Sequence, residues 1–207
     1  RVRHLLHKPE GTGMSEIKTL CVYCGSSSDV RESHRAAATE LGALLAAAGI
    51  RLIFGGGRVG LMGLVANAVL EGGGEVTGVI PKFLKNREVG HTDCTELVVT
   101  ENMHDRKFKM AALADAIVIL PGGLGTLDET FEILTWKQLN LHDKPVVFAD
   151  IDGYWSSLVG FIESQIAENY VKEAHRSLFS VAASVKDILP LVNSIPTTGI
   201  SLEAKWI

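Results

Sequence analysis

Cysteine is scarce in this chain, and its scarcity excludes whole classes of function. Cys21, Cys24 and Cys94 are the three thiols, too few for a disulfide framework or a four-thiolate zinc site. Cys21-Val22-Tyr23-Cys24 spells C-x-x-C, but it falls in a predicted strand, where alternation sends residues three apart to opposite faces. A redox pair is therefore not expected, and a reducing, cytoplasmic setting is. Positive charge is also in short supply. The net charge of −4 gives no bulk attraction for nucleic acid, whose binding rests on Lys and Arg neutralising phosphates. No apolar stretch reaches the roughly 18 uncharged residues of a membrane span, and residues 1–13 hold no apolar signal-peptide core. A P-loop is missing too, since no Gly-Lys-Ser/Thr follows a glycine run.

Apolar residues and glycine are plentiful. The 207 residues are 46% hydrophobic and 21% charged, enough for one domain with a full core. Its 21 glycines cluster at Gly55 to Gly63, Gly72 to Gly74 and Gly122 to Gly125, which marks turns. Arg1 to Gly13 is basic and irregular and ends just before Met14, so it reads as an upstream extension or a remnant outside the natural chain. A single domain is expected over 14–195, followed by a loose or docking tail, Pro196 to Ile207.

Short apolar runs alternate with helical patterns. Strands are expected at Leu20 to Tyr23, Leu52 to Phe54, Val76 to Ile80, Thr95 to Thr100, Ala116 to Leu120 and Pro145 to Phe148. Helices are expected at Ala36 to Ala48 (with an Asp29 cap), from the Gly60 turn to about Glu71, at Met103 to about Leu113 (with an Asn102 cap), and at Thr126 to Leu139. After residue 148 the chain reads as largely helical. This alternation implies a Rossmann-like doubly wound parallel sheet of about six or seven strands with helices on both faces, and ligands then bind at the carboxyl ends of strands. The helix from Thr126 carries Leu127, Phe131, Ile133, Leu134, Trp136 and Leu139 on more than one face, more than one sheet covers. A homodimer or larger homo-oligomer is expected.

Pro121 to Glu129, Pro-Gly-Gly-Leu-Gly-Thr-Leu-Asp-Glu, is the most telling stretch. It joins a buried strand to a helix, where glycines let backbone amides approach an anion and the helix start adds donors and a positive dipole end. Glu129 stands in the expected first turn, within reach of a bound nucleotide's sugar. The same letters also spell a capping box between Thr126 and Glu129. Gly55-Gly56-Gly57-Arg58-Val59-Gly60 fits G-x-G-x-x-G, but a dinucleotide site wants an acid at the end of the following strand. Glu75 is at the wrong end. Two glycine turns at neighbouring strand ends suit one mononucleotide better.

Met103-His104-Asp105-Arg106-Lys107 puts cations in a helix start, where the dipole disfavours them, so a phosphate or a partner carboxylate should compensate. From a neighbouring strand end Arg106 could approach Glu129 across a sugar.

Together with Cys24-Gly25-Ser26-Ser27 and the Gly55 to Gly63 turn, these segments resemble the LONELY GUY family of cytokinin riboside 5′-monophosphate phosphoribohydrolases, from about Ile17 to Val192. The resemblance implies a Rossmann-like fold, an oligomer, and no metal or other cofactor. It also implies that Arg106 and Glu129 are the catalytic pair, that Gly122, Gly123, Gly125 and Thr126 hold the 5′-phosphate, and that Ser26, Gly57, Arg58, Met103 and Lys107 line the substrate. Two positions depart from many relatives. Asp105 stands in place of Glu, and Arg58 in place of Ser or Asn, where it either contacts phosphate bidentately or faces solvent. The expected reaction is hydrolysis of an adenosine 5′-monophosphate, preferably N6-substituted, to free base and ribose 5-phosphate. A general purine-monophosphate nucleosidase, a non-catalytic nucleotide sensor or carrier, and a nucleic-acid-binding relative are the alternatives. Lysine decarboxylation, a label some relatives carry, has no lysine here in a recognisable pyridoxal-phosphate context.

Overall fold

A computed structural model describes residues 17–85 and 90–195; the expected extension at 1–13 and tail at 196–207 lie outside them. Among the described residues seven strands form one sheet: β1 (Thr19–Tyr23), β2 (Arg51–Phe54), β3 (Val76–Pro81), β4 (Glu96–Thr100), β5 (Ala116–Ile119), β6 (Val146–Ala149) and β7 (Ser180–Ala182). All pairings are parallel, in the order β4-β3-β2-β1-β5-β6-β7. The expected α/β architecture is present. The seventh strand is a finding, because three residues after a 3-10 turn are too short to show period-2 alternation.

A parallel sheet needs cover on both faces, and alternation along each strand supplies two cores. Leu20, Val22, Leu52, Phe54, Val118 and Val147 point to one face, against α1 (Glu32–Ala47), α2 (Gly60–Glu71) and α6 (Val185–Ser194). Cys21, Tyr23, Ile53, Ile117, Ile119 and Phe148 point to the other, against α3 (Met103–Leu113), α4 (Leu124–Gln138) and Trp155 beside α5 (Ser156–Ala167). Cys21 and Cys24 therefore lie in different cores, as strand alternation requires. All three cysteines are free, and burial pushes the Cys21 and Cys24 thiols well above their ordinary range.

Two local expectations fail. Helix α1 begins at Glu32 with Arg31 as its uncapped N-cap, not under an Asp29 cap. Helix α4 begins two residues early, with Gly123 as N-cap and no side-chain cap bond. Among the described residues no helix is long and apolar enough to cross a membrane.

Candidate active site

Strand order reverses between β1 and β5, since β2, β3 and β4 extend to one side and β6 and β7 to the other. In open α/β sheets ligands bind at such a reversal, beside the loops that leave the carboxyl ends of the flanking strands, here those after β1 and β5. Gly25, just past β1, donates its N–H to the Pro121 carbonyl at 3.0 Å and so ties the two loops together. Beyond it the three glycines of the turn divide by environment. A Cβ on Gly122 would lie 2.1 Å from Thr126 Oγ1 and 2.9 Å from the Gly25 nitrogen, whereas one on Gly123 or Gly125 would meet nothing within 4 Å. Gly122 is thus small for packing, while Gly123 and Gly125 present bare backbone to open space at the start of α4. The first amides of that helix have no helical acceptors, and its positive dipole end favours an anion.

Because α4 starts at Leu124, the alternative reading of Thr126 and Glu129 as a capping box is not realised. Thr126 is buried inside the first turn, under Gly122. Glu129 falls in the second turn, and its carboxylate turns toward the sheet. There Arg106 Nη1 donates to Glu129 Oε1 at 2.9 Å. Arg106 also donates from Nε to the Val79 carbonyl at 3.1 Å and from Nη2 to the Gly55 carbonyl at 3.2 Å. Both side chains are 9% exposed, so the guanidinium is fixed on three sides in a site largely shielded from water. Burial raises the Glu129 carboxyl above its ordinary range, and the adjacent Arg106 opposes that rise.

The route by which Arg106 arrives corrects the expectation of neighbouring strand ends. Strands β3, β2 and β1 separate β4 from β5, and β1 separates β2 from β5. The crossover from β4 to β5 must traverse them, so α3 packs on β3, β2 and β1 as well as on β4. That passage carries Arg106 over the carboxyl ends of β3 and β2 to Glu129.

Lys107 takes the other compensation foreseen for its helix. Its Nζ lies 3.0 Å from Asp128 and 3.2 Å from Glu132, both on α4. Burial works against the Lys107 ammonium, but its hydrogen bonds to these two carboxylates prevail and hold its pKa above the ordinary value. Asn102 caps α3 as expected, accepting from the Asp105 N–H at 2.9 Å and donating to the Asp105 carboxylate at 2.8 Å. Of the remaining residues expected on the substrate side, Gly57 is buried, Met103 half-buried, and Ser26 and Arg58 exposed. Glu75 lies at the amino end of its strand, paired with Arg51 at 2.5 Å. Sequence reasoning passed over Gly55, Asp128, Glu132 and Tyr154, whose hydroxyl bonds the Gly122 carbonyl. The first two stood inside motifs already singled out, and nothing local marked the others. Surface hollows of about 350 Å³ and 550 Å³ lie elsewhere, one beside Arg51 and Glu75 and one between β7 and α6.

Comparison with known proteins points the same way. Residues 62–192 match a family model described as possible lysine decarboxylase. The chain is 39% identical to the cytokinin riboside 5′-monophosphate phosphoribohydrolase LOG5 of Arabidopsis thaliana, over 93% of this chain and 85% of that protein. It is 43% identical to LOG1 of the same plant, over 84% and 82%, and 45% identical to the probable enzyme LOGL6 of Oryza sativa subsp. japonica, over 84% and 70%. Among solved structures, the molybdenum cofactor binding protein of Rippkaea orientalis superposes with a TM-score of 0.66 at 22% identity, covering 87% of this chain and 98% of that one. A Moco carrier protein from Chlamydomonas reinhardtii gives 0.67 at 25%, with the same coverage.

Proposed function

The chain belongs to the family of cytokinin riboside 5′-monophosphate phosphoribohydrolases, and from that premise we propose that it hydrolyses the N-glycosidic bond of an adenosine 5′-monophosphate, N6-substituted by preference, with Glu129 and Arg106 as the catalytic pair. The observation that carries this reading is the buried 2.9 Å contact between them beside bare backbone at a helix N-terminus.

The phosphate sits on the amides of Gly123, Gly125 and Thr126, and its binding energy positions C1′ against Glu129. As the C1′–N9 bond breaks, its electron pair leaves with the base and positive charge develops on the ribose, as in glycoside hydrolysis generally. The ionised Glu129 stabilises that charge and guides a water onto C1′. The water's oxygen forms the new bond, one of its protons goes to the departing base, and ribose 5-phosphate remains. Arg106 opposes the pKa rise that burial imposes on Glu129 and so favours its ionised form. Ser26, Gly57, Arg58 and Met103 border the ligand. Lys107 acts one step removed, by holding Asp128 and Glu132 on α4.

Lysine decarboxylation, the chemistry in the family model's description, is not supported by this arrangement. Lys107, the lysine beside the pair, is kept protonated by two carboxylates, the reverse of what a Schiff-base nucleophile needs.

The working unit in this reading is a homodimer in a reducing cytoplasm. Leu124 and Phe131 of α4 and Leu139 just past its end are 86%, 43% and 44% exposed along one stripe, which also carries the exposed Asp128 and Thr135, and these apolar side chains are what a second copy would cover. The free thiols suit a reducing compartment.

Incubation with AMP and with N6-isopentenyl-AMP, followed by chromatography, tests the activity. Release of free base with ribose 5-phosphate is expected. Unchanged nucleotide from both substrates would overturn the hydrolytic reading in favour of a sensor or carrier.

A further inference from the structure

Tyr154 has no part in the mechanism above, yet it grips the turn that would hold the phosphate. It lies beyond β6, just after a 3-10 turn (Ile151–Gly153), and its hydroxyl donates to the Gly122 carbonyl at 2.7 Å across a separation of 32 residues. We propose that Tyr154 is a positioning residue for phosphate recognition, setting the peptide plane that aims the Gly123 amide at the ligand. The inference rests on the nucleotide-binding reading above.

The peptide bond supplies the leverage. The Gly122 carbonyl and the Gly123 N–H belong to one planar trans unit and point in opposite directions. A bond that pins the oxygen therefore fixes where the hydrogen points. Gly122 is packed on Thr126 and Gly25, and the Gly123 carbonyl accepts from the Leu127 N–H at 3.0 Å; between them the peptide can still tilt without the Tyr154 bond, since Gly123 meets no atom on its Cβ side and glycine tolerates a wide range of backbone angles.

Tyr154 is well placed to act as a fixed post. Its ring packs edge-to-face between His34 of α1, at 5.2 Å, and Trp155, at 4.8 Å. The Asp150 carboxylate accepts from the Trp155 backbone N–H at 2.5 Å and from the Ser156 hydroxyl at 2.7 Å, which anchors the start of α5. His34 is buried, and Trp155 packs in turn edge-to-face on Phe148 of β6. The post thus leans on α1 and on the central sheet, and reaches the glycine turn through the Gly122 carbonyl.

Tyr154→Phe keeps the ring and its packing and removes the hydroxyl alone. AMP and adenosine are assayed with wild type and variant, ribose 5-phosphate binding is measured by calorimetry, and Tm is recorded. One hydrogen bond corresponds to roughly a three- to tenfold effect. We expect KM for AMP and Kd for ribose 5-phosphate to rise by that factor, with kcat/KM for adenosine and Tm little changed. An unchanged KM and Kd overturns the inference, as does an equal loss on AMP and adenosine, which would mark a general structural role. If wild type releases no base from AMP but still binds ribose 5-phosphate, and the variant binds it more weakly, the hydrolytic reading falls and the role of Tyr154 stands.

Discussion

Gly55 makes room for Arg106: a Cβ at Gly55 would lie 1.9 Å from the Arg106 Nη2 atom and 3.2 Å from Met62 Sδ. The same glycine accepts a hydrogen bond from that nitrogen through its carbonyl. The glycine run after β2 thus serves the cation of the pair.

Gly55→Ala is therefore expected to push the guanidinium off Glu129 without touching either residue's identity. We expect kcat/KM for AMP to fall on the order of 10²-fold, with circular dichroism still native. Wild-type kinetics would show that Arg106 need not hold this position.

Glu129→Gln keeps size and helix propensity while removing the charge, and no capping bond is lost because none is made. Turnover should fall on the order of 10²- to 10⁴-fold in a protein that remains folded and binds ribose 5-phosphate. Near-normal turnover by a folded variant would remove Glu129 from the catalytic pair.

Acid should inactivate the enzyme earlier than an ordinary glutamate would. The carboxyl of Glu129 is raised above 4.5 by burial, so activity that needs its ionised form is lost as pH falls through a value higher than 4.5. Stability runs the other way. A raised folded pKa contributes stability that is complete below the unfolded value and is lost as pH rises through the folded one. The pH profile of kcat/KM should show its acid limb above the ordinary range, and the pH dependence of Tm should lose this component in Glu129→Gln.

The glycines of the phosphate turn should separate cleanly. Gly122→Ala forces a methyl against Thr126 and the Gly25 backbone and should cost about 1–3 kcal/mol, lowering Tm. Gly123→Ala meets open space, so Tm should hold while KM for AMP rises, because the new methyl stands where the ligand approaches. Equal Tm for both variants would contradict the packing described for Gly122.

Phe131→Glu places a charge on the exposed stripe of α4. Sedimentation should find wild type as a dimer and the variant shifted to monomer, without loss of secondary structure. A monomeric wild type would leave the stripe without a partner copy.

Much of this was legible in the residues. Alternation alone sends Cys21 and Cys24 to opposite cores, and apolar runs set between glycine turns mark β1, β2, β3 and β5 to within a residue or two. Asn102 announces its own cap on α3. These are local facts, because side-chain period, backbone freedom and capping chemistry act over a few residues.

Tertiary structure decided how distant residues meet, the expected approach of Arg106 to Glu129 included. Letters that spell a capping box at Thr126 are overridden when α4 begins at Leu124, and the freed Glu129 meets an arginine 23 residues away. Nothing near Tyr154 indicates that it will bond Gly122, or that α3 will cross three strands to bring Arg106 to Gly55. Local sequence specifies which face of an element is apolar; strand order specifies which elements lie opposite, and that order emerges only when the whole chain packs.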